Sequence, residues 1–385
     1  MLLTKFNYSE FAGKPQAWSL NGLALEKVNL LVGKNATGKT NALTKIQWFG
    51  NMLAGLQPQL LQSGSFDVEF SDNDKTYHYL LNVEKQVVLS EELKIGDDSM
   101  FQRDDSGTGE IFAQEFQKKM RFKLPNNQLV VTSKRDVIQH PFLENIANWA
   151  DGQRLYDFSS KLGQDTMFSI NDMNDINVNP RDMRSVIALY VKGEHDFGQD
   201  FRKQIITLMS TIGYDLTNIG VASNPVLAPP IPVGITTNKL PILMLYVGEK
   251  NSKIAVFQQQ MSQGMFRALS LIIQITYNSL KKLSTTVLID DIGEGLDFDR
   301  SSKLIKLLID SANTTDTQFI MSTNDRFVMN NVPLEYWQVI QRTYGECKIF
   351  NSKNSKEIFD DFEYTGLSNF DFLKTDFINS KWETA

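Results

Sequence analysis

Eight consecutive residues, Gly33-Lys34-Asn35-Ala36-Thr37-Gly38-Lys39-Thr40, carry the first clear chemistry of the chain. Their spacing satisfies G-x-x-x-x-G-K-[ST]. The glycines permit a turn whose backbone N–H groups wrap an anion at the positive end of the helix that follows. In such a turn Lys39 reaches the β- and γ-phosphates of a nucleotide, and Thr40 ligates Mg²⁺. Gly33, Asn35, Gly38, Lys39 and Thr40 are therefore the candidate phosphate-binding set.

Two further stretches belong with it. Residues 285–300, TTVLIDDIGEGLDFDR, read as a buried apolar strand ending in Asp290 and Asp291. A carboxylate at such a strand tip, here Asp290, is where a phosphate-loop protein holds Mg²⁺ through water. Residues 261–277, MSQGMFRALSLIIQITY, put Ser262 where a helix N-cap belongs. Phe266, Leu269, Ile273 and Tyr277 follow it at helical spacing.

These residues need elements to hold them. LEKVNLLV (25–32) predicts a strand running into the glycine turn. Thr40 to about Phe49 predicts a helix after it, with Ala42, Leu43, Ile46 and Phe49 on its buried face. Next, FDVEFS, TYHYLLNV and VVLSEELKI alternate with turn residues, the signature of an antiparallel meander. Residues 97–109 read as a polar loop, LVVTS (129–133) as a strand and LENIANWA as a helix. Residues 164–240 are the least regular: polar SINDMNDINVNPRD, helical RDMRSVIALYV and DFRKQIITLMSTI, then the Pro-rich SNPVLAPPIPVGITTNKLP. From PILMLYV onward strands and helices alternate again.

The expected fold is thus α/β in three parts. An N-terminal lobe, 1–163, carries the phosphate loop and the meander; 164–240 is a helical insert with the Pro-rich loop. The C-terminal lobe, 241–385, carries the Ser262 helix, the acidic strand, a last buried strand FIMST and an aromatic tail. No internal repeat or heptad run is present.

Composition narrows the function classes. The net charge of −6 gives no overall attraction to nucleic acid or anionic membrane. The basic run QKKMRFK, with Lys118, Lys119, Arg121 and Lys123, reads first as a solvated face and second as a DNA contact. The single cysteine, Cys347, forms no internal disulfide, which fits a reducing cytoplasm. His78, His140 and His195 lie far apart and do not spell a zinc site. The N-terminus MLLTKFNYSEF does not read as a signal peptide, and no run approaches the roughly 20 apolar residues of a membrane span.

The order of parts (phosphate loop, long insert, Ser-x-Gly helix start, acidic strand, GLD, buried strand) resembles the ABC-type ATPases. Within them the chain is similar to the soluble heads of the structural-maintenance-of-chromosomes (SMC), RecF and OLD-like group, the AAA_21-like ATPases, and to ATPase subunits of bacterial anti-phage systems. The resemblance implies ATP and Mg²⁺ as cofactors and a homodimer with ATP at its interface. Ser262 and Gly264 would contact the γ-phosphate of nucleotide held by the partner copy, and Asp297 would lie in the loop that crosses the interface. Asp291 stands where the family places the glutamate that orients attacking water. Asn324, in Ser322-Thr323-Asn324, stands where the family places a histidine. Asp is one methylene shorter than Glu, and Asn carries no positive charge, so the resemblance implies binding with slow turnover. Gln102 and Gln128 are the candidates for the family's Mg²⁺-sensing glutamine.

Two functional classes follow. One is an ATP-driven switch or sensor controlling a partner effector, as in anti-phage defence. The other is a RecF-like DNA-binding ATPase of repair or chromosome maintenance, which would need steep salt dependence of DNA binding. The chain shows no nuclease constellation of its own, and no transmembrane segment that would suit a transporter subunit.

Overall fold

Val28–Val32 is buried at every position, because a central parallel strand is covered on both faces. The same holds for Thr285–Asp290 and Thr317–Ser322. In the computed structural model, which describes residues 1–166, 168–169, 183–222 and 242–380, these strands form the heart of an α/β unit. Thr285–Asp290 pairs parallel with Thr317–Ser322, which pairs parallel with Val28–Val32. Trp337–Thr343 continues the parallel set on the other side of Val28–Val32. Glu346–Phe350, Trp18–Ala24, Leu2–Glu10 and Ser63–Asp72 carry the sheet onward.

From Ser63–Asp72 the sheet is an antiparallel meander through Lys75–Glu84, Val87–Ile95, Asp98–Arg103, Thr108–Ala113 and Lys118–Lys123. Two expectations are corrected here. The polar stretch 97–109 is a hairpin rather than a loop: Phe101 and Arg103 point inward, and Asp104 accepts from the Ser106 N–H at 3.0 Å to close the turn. LVVTS is a short helix, Val130–Ser133, rather than a strand. Its first N–H donates to both oxygens of Glu91, at 3.0 and 3.1 Å, so a tertiary contact overrides the β preference of its valines.

The helix after the glycine turn spans Lys39–Leu53 and buries Ala42, Leu43, Ile46 and Phe49 as the spacing predicts. It buries Lys45 as well. That ammonium pairs with Glu10 at 2.9 Å and sits over the Tyr8, Trp18 and Trp48 rings. Helix Pro141–Asp151 follows the expected LENIANWA and anchors Trp149, whose indole N–H donates to the Thr286 hydroxyl at 3.0 Å. Near the C-terminus, helices Lys356–Glu363 and Asn369–Lys374 bring Phe359, Phe362 and Phe372 together, with Phe372 against Trp337.

The chain divides into two units that interleave in sequence. The first holds 1–153, 284–290 and 317–385; the second holds 154–283 and 291–316. The second unit is mostly helical, with Val186–Phe197, Gln199–Thr211, Gln263–Lys281 and Phe298–Thr314. It also carries a small sheet in which Ile242–Glu249 pairs with Leu216–Ala222, Val256–Phe257 and Phe168–Ser169. The polar run after Ser169 and the Pro-rich 223–241 lie outside the described residues. Among the described residues no helix is long and apolar enough to cross a membrane.

Candidate functional site

In the first unit, parallel pairing brings the carboxyl ends of Val28–Val32, Thr285–Asp290 and Thr317–Ser322 to one side of the sheet, the usual binding end of such a sheet. That end presents the loop 33–38, Asp290, and Ser322-Thr323-Asn324. The Ser322 hydroxyl donates to the Asp290 carboxylate, and the Thr323 N–H donates to the Leu31 carbonyl at 3.3 Å. Asp290 is 6% exposed, while Asn324 is exposed.

The loop is built as a cradle. A Cβ on Gly33 would lie 2.7 Å from the Ile340 carbonyl oxygen and 2.8 Å from the Thr37 hydroxyl, so no side chain fits there. Gly38 has φ +106°, and a Cβ on it would press on the Cys347 sulfur at 3.2 Å. Lys39 turns back over the loop and donates to the carbonyls of Gly33 and Lys34 at 2.9 and 3.2 Å. Gly38 is the N-cap of Lys39–Leu53 and brings no capping side chain, and the first turn carries no acid. Both features suit a helix end that receives an anion. Asn35 and Thr40 are exposed at the rim. Under the loop, the Cys347 thiol donates to the Thr37 carbonyl at 3.2 Å, and burial pushes its pKa up. The donor set and the cradle fit a nucleotide's phosphates with Mg²⁺.

The second unit assembles Ser262, Gly264 and Asp297. Ser262 caps Gln263–Lys281, its hydroxyl accepting the Met265 N–H at 3.2 Å. Gly264 is closely covered: a Cβ there would lie 2.1 Å from the Gly295 carbonyl oxygen. The turn 291–295 therefore rests directly on the start of this helix. Asp291 sits in that turn in left-handed backbone at φ 53°, its carbonyl accepting the Glu294 N–H at 3.1 Å. Asp297 caps Phe298–Thr314 by accepting the Arg300 N–H at 2.9 Å, and its carboxylate pairs with the Arg300 guanidinium.

Sequence reasoning missed the groups that lock these parts. Arg267 is 3% exposed and donates to the Glu294 carbonyl at 3.0 Å and to the Ser160 carbonyl at 3.2 Å, tying the helix to the turn. An arginine amid an apolar helix pattern is the signal that could have found it. Of the two glutamine candidates, Gln102 is an exposed position of Asp98–Arg103, and Gln128 accepts from the Ser133 hydroxyl at 3.2 Å. His78 gathers with Asp67 and Glu69, a grouping distant histidines did not suggest. The cation of that group is already present: the Lys5 ammonium lies 3.0 Å from both carboxylates.

Fold and site together define an α/β phosphate-loop protein with the fold of an SMC head. The chain belongs to the AAA family described as "AAA domain, putative AbiEii toxin, Type IV TA system", whose model matches residues 28–330. No curated protein matches the chain. Among solved structures it is similar to an SMC head crystallised with the C-terminal winged-helix domain of ScpA, at 14% identity and a TM-score of 0.54. That match covers 93% of this chain and 99% of the other. It is also similar to the SMC head domain of Thermotoga maritima, at 13% identity and a TM-score of 0.46, covering 91% and 99%.

Proposed function

We propose that this chain binds ATP with Mg²⁺ at the loop 33–40, pairs with a second copy around that nucleotide, and acts as a switch controlling a partner effector, as in anti-phage defence. The observation that carries the reading is the presence of two complementary half-sites. The first unit offers a Cβ-free cradle closed by a lysine, with a carboxylate at the neighbouring strand end. The second offers a serine-capped helix start under a tight glycine turn.

Lys39 and the N–H groups at the start of its helix would hold the β- and γ-phosphates. Thr40 would ligate Mg²⁺ and Asp290 would hold it through water, while the bound ion supplies charge neutralisation on the phosphates. Ser262 and Gly264 of the second copy would close over the γ-phosphate, and Asp297 would lie at the crossing loop. Asp291 would orient the attacking water, and Asn324 would hydrogen-bond a γ-phosphate oxygen without adding charge. Hydrolysis is then slow, a property that suits a switch better than a motor. The winged-helix partner on the similar SMC head supports a head of this fold docking a second protein.

The test is molar mass in solution by light scattering, with and without ATP–Mg²⁺, with phosphate release recorded in parallel. Wild type doubles in mass with ATP and releases phosphate slowly; K39A does neither. A wild-type mass indifferent to ATP overturns the dimer reading. A RecF-like DNA-binding role draws support from one observation: Lys118, Lys119, Arg121 and Lys123 are all exposed on the acid-free strand Lys118–Lys123. Duplex affinity that falls steeply with salt, and is lost when these four are neutralised, would favour that role.

A further inference from the structure

Beside Ser262 the second unit has a cavity of about 630 Å³ whose walls include Tyr214, Lys250, Asp297 and Arg300. Arg300 connects these walls. Its guanidinium stacks on the Tyr214 ring, 4.4 Å from the centroid, pairs with Asp297, and donates to the Gly213 carbonyl at 3.4 Å. Ser262 and Tyr214 line this same cavity. One planar cation thus holds Asp297 and Tyr214 together in a wall that Ser262 also lines. Lysine would not do this equally well, since only a guanidinium combines a flat stacking face with a fork of donors.

Ser262 and Gly264 are neutral, so the positive charge on this wall comes from basic side chains such as Arg300 and Lys250. We propose that Arg300 is the positioning residue of the signature half-site, holding Asp297 and Tyr214 beside Ser262 so that the γ-phosphate borne by a second copy meets an ordered wall. The inference rests on the ATP-dimer reading above and names the group on which its second half depends.

The experiment uses full-length R300A, R300K and Y214F, each assayed for ATP-dependent mass, phosphate release and binding of a fluorescent ATP analogue to the monomer. R300A is expected to weaken ATP-dependent dimerisation by about tenfold or more, the scale of one charge-assisted contact, with analogue binding unchanged. R300K should recover part of the loss, and Y214F, which keeps the stacking ring but lacks the hydroxyl, should lose less than R300A. The decisive measurement is a mixture of R300A with K39A. In a mixed dimer one composite site takes Lys39 from the first chain and Arg300 from the second, so phosphate release should exceed the sum of the two variants assayed alone. A misfolded R300A could not lend its loop, so recovery excludes a purely structural defect. R300A that dimerises like wild type, or a mixture no more active than the sum of its components, overturns the inference. Wild type that ignores ATP in mass identifies instead a failure of the dimer reading.

Discussion

Asp297 shows how much one carboxylate does at the start of a helix. It caps Phe298–Thr314, pairs with Arg300, and stands two residues past the glycine that covers Gly264. The Arg300 backbone N–H bonded to it, with the Arg300 charge beside it, holds its carboxyl below the ordinary aspartate range. A depressed carboxyl stabilises the fold above the unfolded-state pKa, and that contribution is lost as pH falls through the folded value. Thermal melting followed against pH should therefore show wild type losing stability on the acid side of the ordinary aspartate range. D297N should keep a capping side chain and lose this part of the acid dependence. An unchanged acid limb in D297N would show that the ion pair contributes nothing measurable, as many exposed pairs do. At this scale Lys39, Ser262 and Asp290 were legible, because motif spacing is local. Tyr214, Arg267 and Arg300 were not, because separate elements must come together before their partners exist.

At the scale of elements, periodicity was readable where one face is buried and the other wet. TYHYLLNV alternates because Tyr77, Tyr79, Leu81 and Val83 point inward along Lys75–Glu84. The next hairpin hid itself, since polar Asp98 and Gln102 fill its outer positions and a buried arginine fills an inner one. That arginine, Arg103, pairs with Glu91 at 2.8 Å, and Glu91 also accepts from the Tyr79 hydroxyl at 2.5 Å. Glu91 accepts from the Val130 N–H as well, so one buried carboxylate sets the hairpin and the short helix together. Burial pushes the Glu91 pKa up, which places the demand on its partners. E91A strands the Arg103 charge and should cost about 3–5 kcal/mol. Urea denaturation would read this, with ATP affinity of the folded fraction unchanged. A loss below about 1 kcal/mol would show that water or neighbouring carbonyls satisfy the guanidinium.

At the scale of the whole chain, each unit is assembled from distant stretches of sequence. The first unit takes Thr285–Asp290 and everything from Thr317 onward to complete a sheet begun at Leu2–Glu10. Its tail belongs to this core. Phe359, Phe362 and Phe372 are buried, Phe372 lies 6.3 Å from the Trp337 ring centroid, and Asp376 pairs with Lys34 at 3.1 Å. The aromatics of the tail are visible in the sequence, whereas the contact with Lys34 had no sequence signal. Removing residues 356–385 should destabilise the unit by about 3 kcal/mol or more, from the apolar side chains it unburies. The melting temperature should fall, and Trp337 fluorescence should shift to the red. A truncated chain with unchanged melting and emission would show that the tail contributes no core.

Cys347 has a practical consequence. It is the only thiol in the chain, it is fully buried, and it donates to the carbonyl of Thr37 within the cradle. Any reagent that alkylates this protein through sulfur must first gain entry beneath the loop 33–38. The molecule thus carries its own clock for the opening of that loop, and the rate of thiol modification reads it.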